Sequence, residues 1–485
     1  MIRWLALILL LVAAPAWAAD GKPDLVLTGQ VQGADHQTYK PVTFEVPPGV
    51  TRVTVDFDYA RDQKTVVDLG LMDPVRFRGW SGGNKKHFTV SAEDATPSYL
   101  PGPLPAGRWT LLLGVPNARP GSTAAYEARI TFEHGPATTN FAPAPLNAAA
   151  GWYRGDLHMH TAHSDGSCLA QSGVRAPCPV YRTVQAAQAR GLDFIAITDH
   201  NTTSHYEAMA ELQPAFDQLL LIPGREVTTF QGHANVFGPT AFIDFRLGDP
   251  SVPTIKALQD AVTAVGGVFS INHPSAPSGE QCMGCGWTVQ GADYDQVQSI
   301  EVANGGSERA QKGAEGPLSG VPFWEAQLNA GHRITAVGGS DNHDAGLPPE
   351  TPGAVGRPTT VVHAAELSTA GILAGVREGR VFIDLDGTKE RMLDLSARAQ
   401  SGQAVMGGVL TARPSEAVAF TASLTGGEMS GLEVIRDGVK QAVVVGPTGA
   451  FTVKMGEKAS WVRLNLRDAQ GRLLLIGNPI YLHRS

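Results

Sequence analysis

Asp156-Leu157-His158-Met159-His160-Thr161-Ala162-His163-Ser164-Asp165-Gly166 packs three histidines and two aspartates into eleven residues. His158 and His160 are separated by one position. On a β-strand such a pair points to one face, so both imidazoles reach one ion. Two surface histidines on an edge strand would show the same spacing. The rest of the chain separates the two readings.

Further along, one apolar run after another meets a metal-binding side chain. Phe194-Ile195-Ala196-Ile197-Thr198 runs into Asp199-His200, and Leu219-Leu220-Leu221-Ile222-Pro223-Gly224 into Arg225-Glu226. Gly232-His233 precedes Ala234-Asn235-Val236-Phe237, and Val268-Phe269-Ser270-Ile271-Asn272 ends at His273-Pro274. Ile334-Thr335-Ala336-Val337-Gly338-Gly339-Ser340 ends at Asp341-Asn342-His343, a second i, i+2 pair. One such run is ordinary; a succession of them is not. Helical periodicity between the runs, at 179–190, 205–218, 254–265, 322–330 and 366–378, predicts βα units. In such folds functional groups sit at the carboxyl ends of the strands.

At these residues the chain resembles the PHP (polymerase and histidinol phosphatase) family of metal-dependent hydrolases. The likeness rests on His-x-His-Thr-x-x-Ser-Asp-Gly, Thr-Asp-His, the Glu after the third run, Asn-His-Pro and Ser-Asp-x-His. Glu226-Val227-Thr228-Thr229, Gly232-His233-Ala234-Asn235 and the ending Gly477-Asn478-Pro479-Ile480-Tyr481 look like its CehA/McbA, carbaryl-hydrolase-like, branch. The resemblance is strong over about 150–387 and weak beyond. It implies a distorted (βα)7 barrel. It also implies that His158, His160, Glu226 and Asp341 hold one ion, and that Glu226, His233 and His273 hold a second with Glu226 bridging. Asp165, His200 and His343 would hold a third. The family pattern leaves the position of His163 free.

The organisation expected is multidomain α/β plus all-β. A secretory signal peptide is read at 1–18, from Arg3, the apolar run Leu5 to Val12, and Ala16-Trp17-Ala18. An N-terminal β-sandwich is read at 19–135 from alternation such as Val53, Val55, Phe57 and Tyr59. A Pro- and Ala-rich linker follows at 136–150, then the barrel at 151–387. A second β-sandwich at 388–485 is read from Val462, Leu464 and Leu466. The signal's apolar run is too short to span a bilayer, so no stable membrane anchor is expected after cleavage.

The formal charge of −8 becomes −9 when the leader removes its one cation, Arg3. An acidic chain without a basic stripe is a poor nucleic-acid ligand, so no such partner is expected. The four cysteines, Cys168, Cys178, Cys282 and Cys285, favour disulfides in an exported protein. A Cys168–Cys178 bridge would pin the loop carrying Asp165. Cys282-Met283-Gly284-Cys285 is a tight disulfide, half a zinc site or a redox motif, and crossed pairing between the two loops is also open.

Imidazoles and carboxylates in this number suit two or three divalent transition-metal ions: Zn, Mn or Fe. Such ions yield hydroxide near neutral pH and stabilise an anionic transition state, with Glu226 and Asp341 central. No serine or cysteine nucleophile is then required. Gly79-Trp80-Ser81-Gly82-Gly83 matches G-x-S-x-G but falls among short β-runs, where that motif has no meaning. Arg225, Arg154 and Asn201 are candidate substrate contacts, and His205 a candidate acid for the leaving group. The enzyme expected is a periplasmic or secreted hydrolase of small esters, foremost phosphomonoesters or phosphodiesters. A carbamate, carboxylic ester or amide hydrolase is the alternative. A non-catalytic binding protein is the third reading, against which the full ligand set argues.

Overall fold

The computed structural model describes residues 22–135, 141–142, 144–280 and 282–485. The leader expected at 1–18 lies outside the described residues, as does part of the expected linker, 136–140 and Pro143. The described chain folds as two compact units. One holds the residues up to Thr89 with Pro105–Glu133, and the other holds Val90–Leu104 with His134–Ser485.

The first unit contains two four-stranded sheets. Alternate residues of Arg52–Tyr59 and Gly107–Asn117 point inward, so Val53, Val55, Phe57, Trp109, Leu111 and Leu113 are buried. This is the period-2 pattern of a sandwich. Ser81 lies within the strand Phe77–Gly82. No strand–turn–helix elbow exposes it, so the G-x-S-x-G match carries no nucleophile.

The second unit is built on a 15-stranded sheet. Its strands in chain order are β1 (Gly151–Asp156), β2 (Phe194–Ile197), β3 (Leu220–Thr228), β4 (His233–Phe237) and β5 (Val268–Ile271). They continue as β6 (Ser299–Asn304), β7 (Thr335–Gly339), β8 (Thr359–Ala364) and β9 (Val381–Asp384). Spatially they run β7-β6-β5-β4-β3-β2-β1-β8-β9. Every residue of β2, β4, β5, β6 and β7 is buried, as for strands covered on both faces.

The described residues do not show a regular (βα)7 barrel; the fold is mixed α/β and mostly β. The pairs β1–β2, β2–β3, β5–β6 and β6–β7 are parallel. The pairs β3–β4, β4–β5, β1–β8 and β8–β9 are antiparallel. The reason lies in the connections. Residues 229–232 between β3 and β4 are too few for a crossover helix, so the chain turns straight back.

The expected helices are present as α1 (Val180–Arg190), α2 (Tyr206–Leu212), α3 (Ile255–Ala264), α5 (Val321–Asn329) and α6 (Thr369–Glu378). Thr254 and Ser368 cap α3 and α6 by accepting from the main-chain N–H groups of Ala257 and Gly371. Another helix, α4 (Gly305–Gln311), gives no clear signal because it opens on two glycines. Asn304 caps it through the N–H of Ser307 at 2.8 Å.

The two ends of the β7-to-β1 path come together beyond the strands. Asp341 donates its N–H to the carbonyl of His158, His160 donates to Asn342, and Met159 and Asn342 form a parallel bridge. Thr360 Oγ1 links β8 to β7 through Gly338. The sheet therefore curls, and the segments carrying His158, His160 and Asp341 face each other. Gly339 permits this approach: a Cβ there would lie 2.5 Å from that of His158.

The C-terminal strands continue the same sheet. Leu473–Gly477 pairs with β9, and Ser460–Arg467 and Leu432–Arg436 follow outward. Their inner face packs on an antiparallel sheet of Met392–Ala399, Gly402–Val405, Ala417–Thr425 and Ala450–Lys454. The result is a sandwich that shares a sheet with the barrel-like part. Val361 and Phe382 lie in the same core as Leu393, Phe420 and Leu464. Asn478 locks the junction: its amide bonds both the N–H and the carbonyl of Ala336 in β7 and the carbonyl of Val381 in β9, at 2.7–2.9 Å. Asn478→Ala leaves these buried groups unpaired and is expected to cost about 3 kcal/mol in denaturant unfolding. A loss below about 1 kcal/mol would show that the junction does not depend on it.

Candidate metal centre

The side chains singled out in the sequence converge on the buried carboxylate of Glu226, on β3. Its Oε2 lies 2.9 Å from His200 Nδ1, 3.5 Å from His158 Nε2 and 3.6 Å from His160 Nε2. Its Oε1 lies 3.2 Å from His233 Nδ1 and 3.3 Å from His273 Nε2, and accepts from Asn272 Nδ2 at 2.8 Å. Asp341 Oδ1 stands 3.3 Å from His158 Nε2, 3.1 Å from His160 Nε2 and 3.7 Å from His343 Nδ1. Asp165 faces His343 and His200 at 3.3 and 3.7 Å.

Among the described residues, four groups bring ligand atoms within 4.8 Å of one another. They are His160, Asp165, His200 and His343; His158, His160 and Glu226; His158, His273 and Asp341; and His233, His273 and Cys285. These clusters suit divalent metal ions. His163 stays outside them, with Nδ1 on Ser204 Oγ at 2.8 Å.

The hydrogen bonds on the far side of each ring test the fit. His158 Nδ1 donates to Glu301 Oε1 at 2.9 Å, His233 Nε2 to the Met283 carbonyl at 3.2 Å, and His273 Nδ1 to the Cys285 carbonyl at 3.1 Å. His343 Nδ1 donates to the Asp341 carbonyl at 2.9 Å. In a neutral imidazole the other nitrogen is then a bare lone pair, and each of these points at a carboxylate. Two acceptors in contact repel unless a cation, proton or metal, lies between them. His158 Nε2, His160 Nδ1 and His233 Nδ1 are buried without a hydrogen-bond partner, which is the state of nitrogens awaiting an ion.

In the metal-free chain protons play that part. Burial alone would raise the pKa of Glu226 and Asp341, but the facing His158 outweighs it and holds both well below the usual carboxylate range. Burial, with His343 and His200 alongside, pushes His160 down to about 4. Against burial, Asp165 and Glu226 raise His200 to about 10, and Asp165 and Asp341 raise His343 to about 9.

Several groups that hold this centre are given no role by the sequence motifs. Glu301, inside β6, orients His158 and accepts from the N–H of His273 at 2.9 Å. Asn304 donates to Glu301 and Asp341 at 3.0 and 3.2 Å. Asp156 is fully buried and accepts from the N–H groups of His158, Ser340 and Gly356. Asp199 accepts from Thr161 N, Thr161 Oγ1 and Ser164 Oγ, at 2.6–2.7 Å. Asn201, His273 and Asp341 have left-handed backbone at φ 52°, 27° and 51°. Such positions cost on the order of 1–3 kcal/mol each and persist where surroundings over-determine them.

The side chains read from the sequence as substrate contacts and leaving-group acid are bonded within the protein in this structure. Arg225 is buried, bonded to the carbonyls of Pro239 and Ala241 and set against the Tyr206 ring. Arg154 is buried on the Arg391 carbonyl and 3.5 Å from Asp384. Asn201 spends its amide on the main chain of Thr228. His205 is fully buried, bonded to the Gly224 carbonyl at 2.9 Å, and burial pushes it down to about 4, so no leaving group reaches it. All four are framework.

Arg175 and Arg309 line an opening beside Asp341 and His343. A cavity of about 410 Å³ is bounded by both of them and by Asp341, His343, Asp344 and Leu347. Arg175 is held by Asp344 at 2.8 Å and by Ser167. Arg309, on α4, is exposed and makes no hydrogen bond or ion pair among the described residues. Its helix was missed in the sequence, and so was its place.

Cys168 pairs with Cys178 and Cys282 with Cys285, so the crossed pairing is excluded. The Cys178 N–H bonds the Gly166 carbonyl, and Ala162 N–H bonds that of Cys178, which ties the first bridge to the loop of Asp165. Disulfides are typical of oxidising compartments. Among the described residues no helix is long and apolar enough to cross a membrane.

No known family profile matches the chain, and no curated protein is detectably similar to it. Among solved structures it is similar to PsfC from Pseudomonas syringae PB-5123, with 18% identity over 44% of this chain and 83% of that one, at a TM-score of 0.30. It is also similar to a Bifidobacterium adolescentis protein to which metal-dependent phosphoesterase activity has been ascribed. There the identity is 17% over 40% of this chain and 88% of that one, at a TM-score of 0.28.

Two outcomes are expected of this geometry. In the metal-free chain His200 and His343, raised to about 10 and about 9, carry protons at neutral pH. Their pairing stabilises the metal-free fold below the unfolded value of 6.5 and is lost as pH rises through those raised values. Ligation needs the bare nitrogens, so metal uptake should release protons and tighten as pH rises towards about 9. Calorimetry in two buffers of different ionisation enthalpy reads the release, and no net release at neutral pH would contradict the arrangement. Second, the bridge between Cys168 and Cys178, 10 positions apart, is worth about 3 kcal/mol by loop closure. The Cys168→Ser, Cys178→Ser variant should lose the ion held with Asp165 at temperatures where it is still folded. Unchanged metal content would leave the bridge with a stabilising role alone.

Proposed function

We propose that this chain is an exported, PHP-type metal-dependent hydrolase acting on small phosphate esters. The metal-dependent part is supported by the imidazole nitrogens that face Glu226, Asp341 and Asp165, where a proton or an ion must stand between each ring and its carboxylate. His158, His160, Glu226 and Asp341 would hold one ion, and Glu226, His233 and His273 a second. Asp165, His200 and His343 would hold a third. Divalent zinc, manganese or iron in these places would polarise a phosphoryl oxygen and lower the pKa of water towards neutrality. The two disulfides and the leader read at 1–18 support a periplasmic or secreted location.

The observation that carries the phosphate reading is Arg309, an unpaired cation in the cavity beside Asp341 and His343. A guanidinium matches two phosphoryl oxygens and offers little to a neutral aryl carbamate. Arg175, fixed by Asp344, adds a second charge with a set orientation. Glu301, Asn272 and Asn304 hold the ligand side chains in register. The chain's own work is thus to fix the ester's anion at one side of the ion cluster.

The test is a paired panel of aryl phosphates and aryl carbamates with protein reconstituted in each metal. Phosphates should turn over and carbamates should not. Glu226→Ala should abolish turnover, while Ser81→Ala should leave it unchanged. Arg309→Ala should raise KM for phosphates by about thirtyfold, the equivalent of about 2 kcal/mol of charge-assisted bonding. Carbamate turnover without phosphate turnover would reverse the substrate assignment. Tight metal binding without turnover of either would favour a binding protein.

A further inference from the structure

The Cys282-Met283-Gly284-Cys285 loop lies directly on the part of the centre formed by His233 and His273. Its main chain accepts the outer ring N–H of both: His233 Nε2 on the Met283 carbonyl at 3.2 Å, His273 Nδ1 on the Cys285 carbonyl at 3.1 Å. Cys285 is only 2% exposed, and its sulfur is within 4.8 Å of a ring nitrogen of each imidazole. His233 Nδ1 is buried and without a hydrogen-bond partner. Cys282, at the other end of the same disulfide, is exposed.

The loop has little freedom to leave. Gly284 is left-handed at φ 81°, and a Cβ there would lie 2.1 Å from the carbonyl oxygen of Thr229. Its N–H donates to Ser278 Oγ at 2.8 Å. The Trp287 N–H bonds the Pro274 carbonyl, and the Thr288 N–H bonds that of Gln231. If the disulfide opens, these contacts keep Cys285 against the two histidines.

We propose that Cys282–Cys285 is a thiol-exchange site built onto the metal centre, and that opening it hands the buried Cys285 sulfur to an ion held by His233 and His273. The step balances with a dithiol as reductant. Its thiolate attacks the exposed Cys282 sulfur, the Cys282–Cys285 bond breaks, and Cys285 leaves as thiolate with the bonding pair. The reductant's second thiol then displaces Cys282, which takes up a proton as the reductant closes to its cyclic disulfide. Two electrons pass to the protein. Two nitrogens and a thiolate are a zinc-type donor set, softer than the nitrogen and carboxylate set of the oxidised chain. The inference rests on metal binding at this site and not on the substrate assigned to it.

Full-length protein loaded with cobalt(II) tests it. Cys282→Ser leaves Cys285 free without any reductant. That variant should show a thiolate-to-cobalt charge-transfer band, and cobalt should protect Cys285 from alkylation. Wild type should gain the band on treatment with a dithiol, and Cys285→Ser should never show it. Cobalt bound to Cys282→Ser with no band and no protection would overturn the proposal while leaving the metal centre standing. No cobalt bound to any variant, oxidised or reduced, would overturn both.

Discussion

The second unit is organised around one buried carboxylate. Glu226 sits inside a strand among apolar neighbours, where an isolated charge would be untenable. Five imidazoles and the Asn272 amide surround its two oxygens. Those side chains come from the segments that follow β1, β2 and β5 and from the start of β4. The demand for compensation at Glu226 therefore fixes the relative positions of β1, β2, β3, β4 and β5. His273 and Asp341, which face the centre, both have left-handed backbone.

Around this hub lies a ring of polar groups whose role is orientation. Glu301, Asn304, Asp156 and Asp199 each bind the backbone or the outer edge of a candidate ligand. A buried polar network of this kind adds little stability and depends on every member being satisfied. Here the inward-facing nitrogens of His158, His160 and His233 are the unsatisfied members. The framework sacrifices stability at the centre and recovers it in the shared cores, where residues such as Trp324, Phe382 and Trp461 are buried.

The arginines show how proximity in sequence misleads. Arg225 adjoins Glu226, but adjacent strand residues point to opposite faces, so its guanidinium enters the packing behind the sheet. Arg154, on β1, is bonded to the Arg391 carbonyl and stands 3.5 Å from Asp384. Arg309 is far from every ligand in sequence, yet α4 follows β6 directly and delivers it beside Asp341 and His343. Positive charge reaches this cavity through topology.

Residue type and spacing were enough to single out the side chains that cluster here. His158 with His160, Asp341 with His343, and the runs ending at His200, Glu226 and His273 are legible because the side-chain period of a strand maps spacing onto a face. The five expected helices were legible for the analogous reason at a period of 3.6. What stayed hidden depended on partners distant in the chain. Glu301 reads as one charged residue in a buried strand until His158 is beside it, and the choice of Cys282–Cys285 over a crossed pair depends on where two loops lie. The antiparallel course of β4, the continuation of the central sheet through Leu473–Gly477, and the conversion of Arg225, Arg154, Asn201 and His205 into framework are likewise outcomes of the fold. Sequence by itself determined which atoms can bind a metal, because that is a property of side-chain chemistry and local period. Only tertiary structure decided which nitrogens are bare, which cations are unpaired and which strand pairs with which, because those depend on burial and on contacts between residues far apart in the chain.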